Sequence, residues 1–415
     1  MHTHVARLFV LMTAAALLSL PGSTFAREPQ INPAWPDWLK EAMAREHKRI
    51  KYEPLSIGPF ETVMPGKVTD REVIDEATFY AASDDGSGGS FECWFYNETM
   101  DMASSTVSFA EAIIDTNREA YGPVDNRSIY HVDAGAIDGA PYLSLEWMYT
   151  VGEAPNAQVG FTKIRAAESD GAFVICSHPS AGYRASFAKS FDQMVRKLSR
   201  ESGAPTPYYR EVIVHNLNDL NIGITQLSMT LDADGDTRID ASDAMLLPVS
   251  GSDLRSSDSS TVSWSTPDGY LINEVHSSVE NGELVSNLSL AFTEEGTWQV
   301  AGTLSGKDFS ETLDGSADPV STLGEMLAVR SLLGDGDSTR QQLDTWIPSA
   351  DPSTFLSAVI ELDESSDVPG AGVVTMGPLR IAGEFEPSGS MKRGTMDFGA
   401  LKLNFERVFS SGNIR

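Results

Sequence analysis

The sequence predicts an α+β protein: an N-terminal antiparallel sheet with packed helices, followed by a mostly antiparallel β domain with one or two helices. Three observations carry this reading. Short runs alternate apolar and polar residues and are bounded by Gly, Pro, Asp and Ser, the pattern of half-buried strands. Two stretches of the first half change to a helical period and separate blocks of strands, which favours antiparallel pairing with helices laid on the sheet. The segment Glu201 to Pro207 (ESGAPTP) then breaks the pattern and sets a boundary between residues 27–203 and 204–415.

Taken in order, the chain begins with Arg7, an apolar run from Leu8 to Leu20, then Pro21, Gly22 and the small-residue end Ser23 to Ala26. This is the pattern of a secretory signal peptide, residues 1–26, cleaved after Ala26. The run falls short of the ~20 residues that span a bilayer, no later segment approaches that length, and no Cys follows to take a lipid. The expected mature chain therefore has no transmembrane segment and is exported, to the periplasm or the extracellular medium.

Trp35 and Trp38 lead into LKEAMAREHKRI, a short amphipathic helix. Extended runs follow: PFETVMPG, EATFYAAS and FECWFYN. In TVSFAEAIIDTNREAYG the residues Val107, Ala110, Ile114 and Tyr121 share one helical face, and Gly122-Pro123 supplies the stop. The runs SIYHVDAG, YLSLEWMYTVG, QVGFTKIRAAES and GAFVICSHP are again extended. A second helix, YRASFAKSFDQMVRKL, carries Phe187, Phe191, Met194 and Leu198 as a buried stripe. The order of FECWFYN, the TVSFAEAI helix, YLSLEWMY, GAFVICSHP and this closing helix resembles the Mog1/PsbP/DcrB-type α/β sandwich over residues 50–200. That resemblance implies an accessory, assembly or binding role without catalysis.

The second half alternates clearly in LVSNLSLAF, TWQVAGTL, PLRIAGEFEP and ALKLNFERVF, as in antiparallel meanders with one buried face. One helix lies between them, with Asp318 as expected N-cap, Pro319 at N1 and Gly334 at its close. Trp298 and Trp346 either join the packed core or line a concave apolar pocket.

Charge excludes several functions. The 415 residues hold 59 acidic against 30 basic side chains, a net charge of −29, which repels nucleic-acid phosphates and anionic lipid. With 10 Lys against 20 Arg, such a surface stays hydrated and soluble in high salt. The acidic excess is heavier in residues 204–415.

Four groups are candidates for chemistry. Cys93 and Cys176 both fall in expected strands, and after export they either pair or remain separate buried thiols. Ser180 follows a strand and precedes a helix, the setting of a hydrolase nucleophile, although His178 stands where that turn needs Gly. Ser186 and Lys189 form an S-x-x-K without downstream partners, and the five His after residue 26 are scattered, without an H-E-x-x-H. The run LDADGDTRIDASDAMLLP places Asp232, Asp234, Asp236, Asp240 and Asp243 at positions 1, 3, 5, 9 and 12 of a calcium-type loop, with the carbonyl of Arg238 at position 7. It resembles an EF-hand or dockerin-type calcium loop, which implies a structural calcium ion. The same residues also read as a β-hairpin turning at Asp234-Gly235. Together these observations describe an exported, non-enzymatic protein that binds a partner protein or an apolar ligand. The competing reading is a secreted hydrolase using Ser180.

Overall fold

The computed structural model describes residues 33–414, apart from 154, 170, 201–205, 336–337, 378 and 400. The signal-peptide reading and most of the expected linker lie outside the described residues. The expected α+β class is corrected: the chain is 56% strand and 15% helix, an antiparallel β architecture with four helices among the described residues. These are α1 (Asp37–Met43), α2 (Met102–Tyr121), α3 (Arg184–Lys197) and α4 (Thr322–Asp335). The helical stripe of α3 lies where expected, and in α2 Ala110 and Ile114 are buried as expected, but Tyr121 at the last turn is exposed rather than part of the stripe. What the pattern understated is how much sheet those two helices serve.

A seven-stranded antiparallel sheet occupies the first half, in the order Lys67–Val73, Thr78–Asp84, Ser90–Tyr96, Ala172–His178, Gln158–Ser169, Ala140–Val151, Val124–Ile137. Its central strand Ala172–His178 is buried along its whole length. Alternate side chains divide between two cores, because successive residues of a strand point to opposite faces. Phe173 and Ile175 join Ile114 of α2, together with Leu145 and Trp147. Val174 and Cys176 join Phe187 and Phe191 of α3, together with Leu55 and Phe60 of a three-stranded sheet formed by Tyr52–Ile57, Phe60–Pro65 and Ser199–Arg200.

The second half forms one 14-stranded antiparallel sheet. Two meanders, one from Tyr209–Leu217 to Lys307–Leu313 and one from Arg340–Trp346 to Lys402–Gly412, join where Tyr209–Leu217 pairs with Lys402–Gly412. The sheet curls around α4. Leu323 and Met326 of the helix meet Leu227, Met229 and Ile239 of the first meander. Ala328, Val329 and Leu332 meet Ile360 and Phe385 of the second. A helix apolar on opposite sides has to be covered from both. The ends of the sheet approach through side chains, with the rings of Trp298 and Phe355 5.8 Å apart.

Helix α4 begins later than Asp318 and Pro319 predict. Residues 318–320 run along the sheet, where the Val320 N–H donates to Asp344 O (2.8 Å) and Pro319 O accepts from Leu271 N–H (2.8 Å). Ser321 takes the capping place, its hydroxyl accepting from Gly324 N–H at 3.4 Å. Pairing with two strands outweighs the local capping signal, since it satisfies more buried backbone groups than one cap does.

The two halves share one core. Ile114, Trp147 and Ile164 cluster with Val212, Ile222, Ile224 and Leu246 from beyond residue 204. Cys93 and Cys176 face each other in register on neighbouring strands, with Cα atoms 4.1 Å apart, and form a disulfide that spans 83 residues of chain. For a loop of that size chain entropy gives about 4 kcal/mol. Replacing both cysteines by serine is expected to lower the unfolding free energy by about 2–5 kcal/mol in denaturant titrations.

Candidate functional site

Two polar regions interrupt these cores. The first lies where the N-terminal arm crosses the start of α3. Tyr183 N–H donates to Arg45 O at 2.6 Å. The Glu46 carboxylate accepts from the backbone N–H groups of Ala185 (2.9 Å) and Ser186 (2.8 Å) and from the Ser186 hydroxyl (2.5 Å). Ser186 in turn accepts from His47 N–H at 2.9 Å. These are capping interactions supplied by a segment remote in sequence, and they satisfy donors that a helix start leaves open. Gly182 makes the approach possible, because a Cβ there would stand 2.2 Å from Ala42 O.

Beneath the arm, one carboxylate serves two imidazoles. Asp85 Oδ2 lies 3.3 Å from His47 Nε2 and 3.4 Å from His178 Nε2. Burial raises the Asp85 pKa, but hydrogen bonds from His178 and Ser87 outweigh it and hold the carboxyl well below the usual range. Burial lowers His178. The Ser180 N–H donates to His178 Nδ1 (3.3 Å), so the ring proton sits on Nε2, which faces both Ser87 Oγ (2.9 Å) and Asp85. A serine hydrolase needs its acid and its nucleophile on opposite ring nitrogens. Here Asp85 and the Ser87 hydroxyl share Nε2 of His178, and the Ser180 hydroxyl has no hydrogen bond to either imidazole.

Lys163 lies fully buried beside this cluster, donating to Ser180 O and to Gly182 O (2.7 Å). Burial pushes its ammonium down to about 8, against the opposing pull of Glu146. Glu146 is itself held in bidentate fashion by Arg184, at 2.6 and 2.9 Å. Ser186 and Lys189 are not a catalytic pair, since the Ser186 hydroxyl is committed to Glu46.

The second region is a cleft of about 1240 Å³ where the start of α2 meets the large sheet. Its floor is read from register. Gln226, Ser242 and Ser260 stand side by side on adjacent strands, and so do Ser228, Asp240 and Val262. The hydroxyls of Ser228, Ser242 and Ser260 have no hydrogen-bond partner in the protein, and the side-chain oxygen of Gln226 has none either. Nearer α2 the same face carries Ile224 and Ala244, which join the shared core. Asp258 stands beside Ala244 in register.

Asp258 ties the two halves together at this edge. Its oxygens accept from the first free N–H groups of α2, Ala103 at 2.7 Å and Ser104 at 2.8 Å. A carboxylate at a helix start is favourable. Burial nevertheless pushes its pKa up to about 6, the bonds from Ser104 and Ala103 opposing this and the charge of Asp101 adding to it. Burial also raises Asp101.

The expected calcium loop is a hairpin. Asp232 caps its own turn, with Oδ1 accepting from the N–H groups of Asp234 (2.9 Å) and Asp236 (3.0 Å). From Thr237 to Pro248 the chain is a strand. Asp240 lies on the cleft face and is paired with Arg238 at 2.6 Å. Asp243 points to the other face, where Thr225 and Ser259 donate to it. The five aspartates therefore do not converge, and among the described residues no group of three or more His, Cys, Asp and Glu is arranged to hold a metal ion. Sequence reading missed the cleft because its floor is made of ordinary serines aligned only by strand register. Alternating Ser and Gln on consecutive strands was the one available signal.

No family model matches the chain, and no curated protein matches it. Solved structures similar over part of it include the following two. A β-barrel-like protein of the domain of unknown function DUF1849 from Brucella abortus is 14% identical, covering 50% of this chain and 99% of its own, with a TM-score of 0.37. PsbP of the cyanobacterium Synechocystis (CyanoP) is 10% identical, covering 41% of this chain and 98% of its own, with a TM-score of 0.25.

Two measurements test the site. Between pH ~4, where an unfolded Asp titrates, and about 6 the folded protein holds more protons at Asp258 than the unfolded chain does. Stability should therefore fall as the pH rises through that window and level off above it, and Asp258→Asn should flatten the slope in pH-dependent denaturation curves. Glu46→Ala should lower stability by about 1 kcal/mol in thermal melts, the cost of a lost cap.

Proposed function

We propose that the protein is exported, has no catalytic role, and binds a partner polypeptide in the cleft between α2 and the large sheet. The observation that carries this is the cleft floor, a row of hydroxyls without partners inside the protein. The serine hydroxyls are open to solvent, and the one buried oxygen of the floor without a partner, that of Gln226, is satisfied by a ligand or by water. An apolar ligand is disfavoured, because Trp298 and Trp346 are buried in one core cluster and α4 fills the curled sheet. Catalysis is disfavoured by the shared ring nitrogen of His178. Export is supported by the leader-like pattern ending at Ala26 and by the Cys93–Cys176 disulfide, a bond that persists outside the cytosol.

A photo-crosslinking residue at position 260, on the cleft floor, should yield one discrete polypeptide adduct in the native host. The same residue at position 284, exposed on another strand of the sheet, should not. Equal adducts at both positions, or none at 260, would reject the reading. Export is checked by the N-terminus of the purified protein, expected at residue 27.

A further inference from the structure

Resting on the cleft as the binding site, we infer that its occupant is an extended, basic segment of the partner, carrying Lys or Arg at alternate positions. Three features of the cleft support this. The first is unbalanced charge. Of the cations lining the cleft, Arg238 is paired with Asp240 and Arg210 acts on Glu168. That leaves Asp101 and Asp258 at the α2 end, where burial raises the cost of both charges and the charge of Asp101 adds to the cost of Asp258's. No cation of the protein is ion-paired with either among the described residues, so a cation brought by a ligand would relieve both.

The second feature is hydrogen-bond polarity. Asp101 and the partnerless oxygen of Gln226 are acceptors, Asp258 beneath them adds its charge while its oxygens hold the start of α2, and the serine hydroxyls serve either role. Such a surface selects donors, and ammonium and guanidinium groups are donors only.

The third is spacing. Gln226, Ser228 and Thr230 project to the cleft at alternate positions of one strand, about 6.8 Å apart. An extended peptide repeats its side chains at the same interval, so residues on one of its faces meet successive rows of the floor. The net charge of −29 would steer such a segment toward the protein, and salt would weaken that attraction.

The test uses three capped octapeptides of alternating Lys/Ser, Gln/Ser and Glu/Ser, titrated calorimetrically into the full protein at low salt. The Lys/Ser peptide should bind about tenfold more tightly than the Gln/Ser peptide, and the Glu/Ser peptide should not bind. Ser242→Trp and Ser260→Trp, which keep the net charge and fill the floor, should each abolish Lys/Ser binding while the melting temperature stays near that of the parent. If Gln/Ser binds as well as Lys/Ser, and both are blocked by tryptophan, the cleft reading survives and the basic specificity is overturned. If no peptide binds, or if Lys/Ser binding ignores both tryptophans, the cleft reading fails and this inference with it.

Discussion

Strand Ala172–His178 has no wet face, and a sheet whose centre is dry on both sides obliges the chain to build two covers. On one side the cover is α3, the small three-stranded sheet and the N-terminal arm. On the other it is α2 and the outer face of the 14-stranded sheet. The Glu46 cap on α3 and the Asp258 clamp on α2 have the same logic, since each covering helix has its first N–H groups satisfied by a carboxylate from elsewhere in the chain. The cleft forms where the second cover stops, as the sheet face changes from Ile224 and Ala244 to Gln226 and Ser242.

The strongly negative surface coexists with an interior where most buried cations are answered individually. Arg184 grips Glu146, and Arg165 meets Asp192 at 2.7 Å. In the curled sheet, Arg407 lies between Glu211 and Glu386. Such pairs add little net stability, but they make the surrounding packing intolerant of alternatives, since loss of one partner leaves a buried charge. Lys163 has no paired carboxylate and donates to carbonyls instead, which is why burial lowers its pKa. The imbalance at Asp101 and Asp258 is thus an exception, and it falls at the cleft.

Much of the local structure was legible. The stripes of α2 and α3, the alternation around Leu288 and Leu403, and the turn at Asp234-Gly235 are all set by side-chain periodicity or turn chemistry, which act within a few residues. The class was misjudged because periodicity does not show how many strands share a sheet or that one helix serves two sheets. For Ser180 and the aspartate run the same distinction between local pattern and tertiary geometry applies. A motif fixes residue types and spacing, whereas a nucleophile needs a base at its hydroxyl and a calcium site needs oxygens that converge.

By itself the sequence determined the acidic character, the leader-like start, the two helical stripes and the strands, because each is a property of composition or of neighbours along the chain. The tertiary structure alone decided which distant groups meet: Cys93 with Cys176, Glu46 with the start of α3, His47 and His178 on one Asp85, Asp258 on α2, and the serines of three strands in one row. Those meetings depend on sheet order and register, and a shift of one residue would turn the strand side chains among them, Cys93, Cys176, His178, Asp258 and the serines, to the opposite face.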